Sequence, residues 1–229
     1  MQNKLSPEAF SKYIDERLKK RRFSLLLKRF VDIVLSLIGI TILLIPFIII
    51  SVIIKLTSKG PVFYRQERIK KGDVPFRIFK FRTMVQDADK KGMLITVGED
   101  KRITGIGKFL RKSKIDELPQ LINVFIGDMS FVGPRPEVPK YTALYDEYQK
   151  NILKIRPGIT DLASIKYKDE ASVLAKSENP EETYINEIMQ EKLRINLEYI
   201  EKISVIQDIK LIVITILEVI GFEINEQKD

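Results

Sequence analysis

The sequence predicts a mostly helical α+β protein with one helix held in a membrane, and three observations predict it. From Ile33 to Ile54 no residue is charged, close to the ~20 residues that cross a hydrocarbon core. Two alternating segments, Pro61–Ile69 and Pro75–Met84, flank Lys70-Lys71-Gly72-Asp73 and read as a β-hairpin. Elsewhere, apolar residues recur at helical spacing between Pro and Gly breaks, as from Leu118 to Phe125. The expected organisation is a basic amphipathic arm over 1–27 and a membrane-embedded helix over 28–58. A small globular domain follows over 59–202, the seat of any chemistry, then an amphipathic C-terminal helix and tail over 203–229.

In the arm, Ser6 is placed to cap a helix that Pro7 opens. Arg17, Lys19, Lys20, Arg21 and Arg22 then form a basic cluster beside Tyr13. It is either a solvated face or a contact with anionic headgroups, and the apolar run that follows favours the second. That run starts too late and is too long for a cleavable signal peptide. Lys28 and Arg29 precede it, and Lys55, Lys59, Arg65, Arg68, Lys70 and Lys71 follow, so the two flanks give no orienting bias. Pro46 removes a helical hydrogen bond near the middle and favours a kink. A helix that dips into one leaflet and returns satisfies both facts; a single crossing is the alternative, and the residues alone leave the two open. Asp32, near Arg29, is expected at headgroup level and paired there.

Gly60-Pro61 ends the helix. In the second strand Lys80 and Arg82 fall on one face, either solvated or gripping a phosphate. Residues 87–100 are polar with Gly92 and Gly98 and read as a mobile loop. Gly105–Lys112 reads as a short helix ending in cations. Pro119 is tolerated only in a first helical turn, which starts a helix at about Asp116 and puts that acid at or beside the N-cap. Gly127 ends it. Pro134 and Pro136 flank Arg135 in a rigid turn, Tyr141–Leu153 reads as a Tyr-rich helix, and Lys154–Thr160 forms a second rigid turn presenting Arg156. Residues 169–202 are charged and helical, broken at Asn179-Pro180. Ile203–Phe222 is apolar but interrupted by Gln207, Asp208, Lys210 and Glu218, as in a helix lying on a membrane or on the core.

The chain has 229 residues and a formal charge of +8, from 39 bases against 31 acids. That balance suits phosphate-bearing partners. There is no His and no Cys, which excludes imidazole and thiol chemistry, disulfides and thiolate metal sites, and suits a cytosolic face. Catalysis is left to carboxylates, Lys, Tyr or hydroxyls. Asp116 and Glu117 are therefore the leading candidates, with bases on both sides. The plain reading of Asp116 is a helix cap. Neighbours on a helix do not face each other, so the two acids are expected to hold separate jobs. A phosphate at this helix start would meet N–H donors and Arg111.

Six motifs stand in order: Lys28-Arg-Phe-Val-Asp32, Gly60-Pro-Val-Phe63, Phe79-Lys-Phe-Arg-Thr-Met84, Asp116-Glu-Leu-Pro-Gln120, Gly127-Asp-Met-Ser-Phe-Val-Gly-Pro-Arg-Pro136 and Arg156-Pro-Gly-Ile-Thr160. Together, over about Lys28–Ile220, the chain resembles the bacterial sugar transferase family, the monotopic polyprenyl-phosphate phosphoglycosyl transferases. The resemblance implies a re-entrant membrane helix, a small α/β domain and surface-lying helices at the cytoplasmic face of the bacterial inner membrane. It implies transfer of a sugar 1-phosphate from a UDP-sugar to undecaprenyl phosphate, releasing UMP. Asp116 would attack phosphorus and become an acyl phosphate, and Glu117 would assist the acceptor or organise the site. Mg²⁺ at Asp116 would neutralise the diphosphate. Lys80, Arg82, Arg111, Arg135 and Arg156, with Gln120 and Asn123, would bind phosphate and nucleotide. Membrane lipids are implied partners and nucleic acid is not; the assembly is left open, a homodimer included. Two departures stand out. Ile45, not Ser, precedes Pro46, and Asp161-Leu-Ala-Ser-Ile-Lys-Tyr-Lys168 replaces a Gly-Trp-Ala-Gln-Val-Asn-Gly-Arg continuation, which would bear on donor choice. The competing reading is a catalytically silent membrane scaffold for glycan-assembly enzymes.

Overall fold

Helix α1 (Pro7–Lys20) begins where the Ser6 hydroxyl accepts the Ala9 N–H. This is a computed structural model, and it describes residues 5–88, 100–167 and 170–219. Most of the expected 87–100 loop and the C-terminal tail fall outside those residues. The arm is not a separate segment: Phe10 and Ile14 of α1 are fully buried in the main core with Tyr145, Ile152 and Leu197.

Helix α2 (Arg22–Thr57) is 36 residues long, about 54 Å at 1.5 Å per residue. One face grips the rest of the chain along its length. The Lys28 ammonium pairs with Asp208 at 2.5 Å, and Arg29 donates to the carbonyls of Val124 (2.6 Å) and Phe125 (2.8 Å). Further along, Phe47 meets Phe81 edge-on with centroids 5.3 Å apart. At its end, Ser58 accepts from Arg82 through both its carbonyl and its hydroxyl. The other face exposes Phe30, Ile42, Ile45, Ile48, Val52 and Leu56, and only 11% of the most apolar window is buried. Asp32, expected at headgroup level, has protein groups as its partners. It is buried and accepts from the Ser130 hydroxyl and the Phe131 N–H, both at 3.1 Å, because the start of α2 lies against the strand that begins at Ser130.

The hairpin forms as expected. β2 (Glu67–Lys70) pairs antiparallel with β3 (Val74–Arg77) around left-handed Gly72 and Asp73, and β1 (Phe63–Tyr64) pairs with β4 (Lys80–Phe81). Helix α3 (Gly105–Lys112) is capped by Thr104. Ile115–Glu117 is one 3₁₀ turn, and α4 (Gln120–Ile126) starts only after Pro119. The expected helix start at Asp116 is therefore corrected: the chain turns helically there, but with i→i+3 bonds such as Leu118 N–H to Ile115 O, because Pro119 has no N–H to continue an α ladder. Left-handed Gly127 (φ +96°) closes α4.

β5 (Ser130–Val132) and β6 (Gly158–Thr160) are parallel, Ser130 opposite Gly158 and Val132 opposite Thr160. Between them, the expected Tyr141–Leu153 helix is instead α5 (Pro139–Thr142) and a 3₁₀ turn over Gln149–Lys154. Asp146 and Gln149 bond reciprocally to each other's backbone N–H, a local alternative that competes with an α-helix. Helices α6 (Leu162–Lys166), α7 (Glu170–Leu174) and α8 (Pro180–Thr183), the last capped by Asn179, lead through a π-turn into α9 (Met189–Lys202). Helix α10 (Val205–Val219) buries Asp208, Leu211 and Ile214 against the body and exposes Ile206, Ile209, Val213 and Ile216.

Candidate active site

Glu117 is the electrostatic centre. The 3₁₀ turn lies against β4, so the Lys80 ammonium donates to Glu117 Oε1 at 2.7 Å. From the turn after β5, Arg135 donates to the same oxygen at 2.5 Å and to Oε2 at 3.3 Å. Burial alone would push the Glu117 carboxyl up, but Arg135 and Lys80 overcome it and hold the group well below the usual carboxylate range. Burial, together with nearby Arg135 and Arg68, lowers Lys80 against the pull of Glu117.

Asp116, one residue away, is the opposite case. It is 8% exposed, and among the described residues its carboxylate has no hydrogen-bond or ion-pair partner. Burial pushes it up, the neighbouring Glu117 charge adds to that, and Lys80, Arg111 and Lys114 act at longer range in the other direction. Lys114, left-handed at φ +57°, starts the turn. The two acids are therefore chemically unlike: one ionised and clamped, one unclamped. An oxygen free of hydrogen bonds is the better nucleophile of the pair.

The structure brings Asp116, Glu117, Lys80, Arg135 and Arg111 together and separates the other candidates. Arg111 donates to the Thr83 hydroxyl at 2.9 Å and lies within electrostatic reach of Asp116 and Asp100. Arg82 does not accompany Lys80. It turns to the end of α2 at Ser58, and its Nε and Nη1 are buried without a partner among the described residues. Arg156 lies at the far end of α4, donating to Gly127 O at 2.9 Å near Arg29. Asn123 is fully buried and structural in its contacts, accepting the Phe79 N–H at 2.8 Å and donating to Arg77 O at 3.1 Å. Gln120 is buried too, its Nε2 unpartnered among the described residues.

Two contributors escape sequence reasoning. Arg68 donates to Pro136 O at 3.0 Å and lies 3.6 Å from Glu137, bracing the Arg135 turn; nothing in its strand distinguishes it from a solvated cation. Asp161, expected to bear on donor choice, turns inward to Arg135 N–H at 3.0 Å; its position before Leu-Ala-Ser signals a cap but not this second bond. Lys168 lies outside the described residues.

Among the described residues no three acidic side chains converge on a metal position. Mg²⁺ is commonly held by one or two carboxylates plus substrate phosphates. The unclamped Asp116 carboxylate fits as a sole protein ligand of that kind.

The family model described as bacterial sugar transferase matches residues 23–221. A Bacillus subtilis (strain 168) protein provisionally named as an undecaprenyl-phosphate N-acetylgalactosaminyl 1-phosphate transferase is 46% identical over 136 residues, 59% of this chain and 72% of that protein. The Escherichia coli (strain K12) UDP-glucose:undecaprenyl-phosphate glucose-1-phosphate transferase is 36% identical over 197 residues, 84% of this chain but 40% of its own length. A further Bacillus subtilis (strain 168) protein, the uncharacterised sugar transferase EpsL, is 35% identical over 87% of this chain and 90% of that protein.

Proposed function

Because the chain belongs to the bacterial sugar transferase family, we propose that it moves a sugar 1-phosphate from a UDP-sugar to undecaprenyl phosphate, the first membrane step of a bacterial glycan's assembly. The observation that carries this reading is the unclamped, buried Asp116 beside a Glu117 already neutralised by Lys80 and Arg135. In the first step an Asp116 oxygen bonds to the phosphorus that bears the sugar, and the bond to the UMP oxygen breaks with its electron pair leaving on UMP. In the second, an oxygen of undecaprenyl phosphate attacks the same phosphorus and Asp116 leaves as carboxylate. The product is undecaprenyl-diphosphate-sugar. Splitting one displacement into two is the ordinary gain of nucleophilic catalysis.

Arg135 and Lys80 supply positive charge for a diphosphate while their donors orient on Glu117, and Arg111 lies on the Asp116 side. Both Glu117 oxygens are engaged, so its role here is to orient these cations and keep them charged rather than to remove a proton. When bound, Mg²⁺ would supply charge neutralisation on the diphosphate, with Asp116 as its protein ligand.

The same reading places α2 as a re-entrant helix at the cytoplasmic face of the inner membrane. It is supported by the contacts of Lys28, Phe47 and Ser58 with a single globular body, since a crossing helix would carry one end away from it. The test is incubation with UDP-sugar alone. A phosphosugar bonded to Asp116 is expected on peptide mapping, with one UMP per chain, and Asp116→Asn should give neither. UMP release by Asp116→Asn would sink the mechanism.

A further inference from the structure

Arg135 is held by its backbone as well as by its side chain. The Gly133 N–H donates to Thr160 O at 3.1 Å and the Gly158 N–H to Pro134 O at 3.0 Å, so β6 clamps the turn that leaves β5. Pro134 and Pro136 have no N–H, which leaves the Arg135 N–H as the one backbone donor between them. It donates to Asp161 Oδ2 at 3.0 Å. Asp161 is buried, and its Oδ1 accepts the Ser164 N–H at 2.6 Å while Oδ2 also takes the Ser164 hydroxyl at 3.1 Å. One oxygen thus caps α6 and the other holds the turn. A cavity of about 20 Å³, bounded by Arg135, Asp161, Tyr184, Lys192 and Asn196, lies behind. Among the described residues, the cations that line it are Lys192 and Arg135 themselves.

A cap alone does not call for an acid, since Ser, Thr and Asn serve as well. What a carboxylate adds is a second acceptor oxygen. We infer that Asp161 is a positioning residue for Arg135: by fixing the backbone between the two prolines it sets the guanidinium on Glu117, and so prepares the cation pair beside Asp116. This rests on reading Asp116 and Glu117 as the working pair.

The chain of dependence can be measured, because among the described residues the hydrogen-bond partner that Asp161 and Glu117 share is Arg135. Asp161→Ser keeps one oxygen for the α6 cap and gives up the second acceptor. In the full chain in detergent it is expected to lower the melting temperature. In a Glu117→Gln background the same change should lower it by about half as much or less, because coupled residues are not additive. A residue that only capped α6 would give additive losses, and additivity overturns the inference whether or not the chain turns over any donor. Asp161→Asn provides the same cycle should the Ser variant not fold. In turnover, Asp161→Ser should cost on the order of 10- to 100-fold in kcat/KM. An active variant with kcat/KM unchanged also counts against the inference.

Discussion

Asp116 and Glu117 make opposite predictions for stability. The Asp116 carboxyl is raised above its ordinary 3.8, so protonation favours the fold below that value and the benefit is lost as pH rises through the folded value. At neutral pH the buried carboxylate opposes folding. Asp116→Asn should therefore stabilise the chain by about 1 kcal/mol at neutral pH, and by nothing in acid, while abolishing activity. Denaturant melts at both pH values check it. Glu117 is depressed below its ordinary 4.5, so its contribution is present above that pH and fades as pH falls through the folded value. Glu117→Gln should cost about 2 kcal/mol at neutral pH, less than for a fully buried pair because Arg135 keeps contact with water, and the cost should shrink below pH 4.5. Elimination of His and Cys left few chemistries and drew attention to the acid pair, and two prolines made Arg135 conspicuous; the fold sets Lys80 and Arg135 on Glu117. Arg82, Arg156 and Asn123 lie apart from that group, and residue type does not reveal such partners. A strand's period puts Lys80 and Arg82 on one face, yet the fold gives one to Glu117 and the other to Ser58. Asn123→Ala should accordingly cost about 2 kcal/mol through its lost backbone bonds, seen as a lower denaturation midpoint.

The elements divide by the range of the forces that make them. The β2–β3 hairpin, the Ser6 cap, the Asn179-Pro180 break and the Gly127 stop are local and were readable from adjacent residues. The β5–β6 pair was not, since two three-residue strands carry too little alternation and their pairing is long-range and parallel. That pair nonetheless presents Arg135. Its strands approach so closely that a Cβ on Gly158 would lie 2.2 Å from Gly133 N and 2.4 Å from Gly133 O, backbone atoms that cannot yield by rotation. Gly158→Ala is expected to destabilise by about 2 kcal/mol, with activity lost beyond what the folded fraction explains. Full activity per folded molecule would show that the turn tolerates the displacement.

On the scale of the molecule, the apolar run was the most legible feature and its attachment the least. Its length and composition follow from the sequence; its grip on Phe81, Val124 and Asp208 follows from residues 34 to 180 positions away. Because the chain has no Cys, single cysteines at Lys20 and Lys59 can be labelled cleanly in sealed inverted vesicles. Both are expected to react with an impermeant maleimide from the same side; labelling from opposite sides would refute re-entry. The second core cluster, in which Phe47 and Ile54 fill the space over Phe81 and Leu110, carries a consequence for anyone handling the protein. Severing the chain at Gly60 would not release a water-soluble enzyme but strip the floor from its interior. The greasy stem is as much keystone as tether.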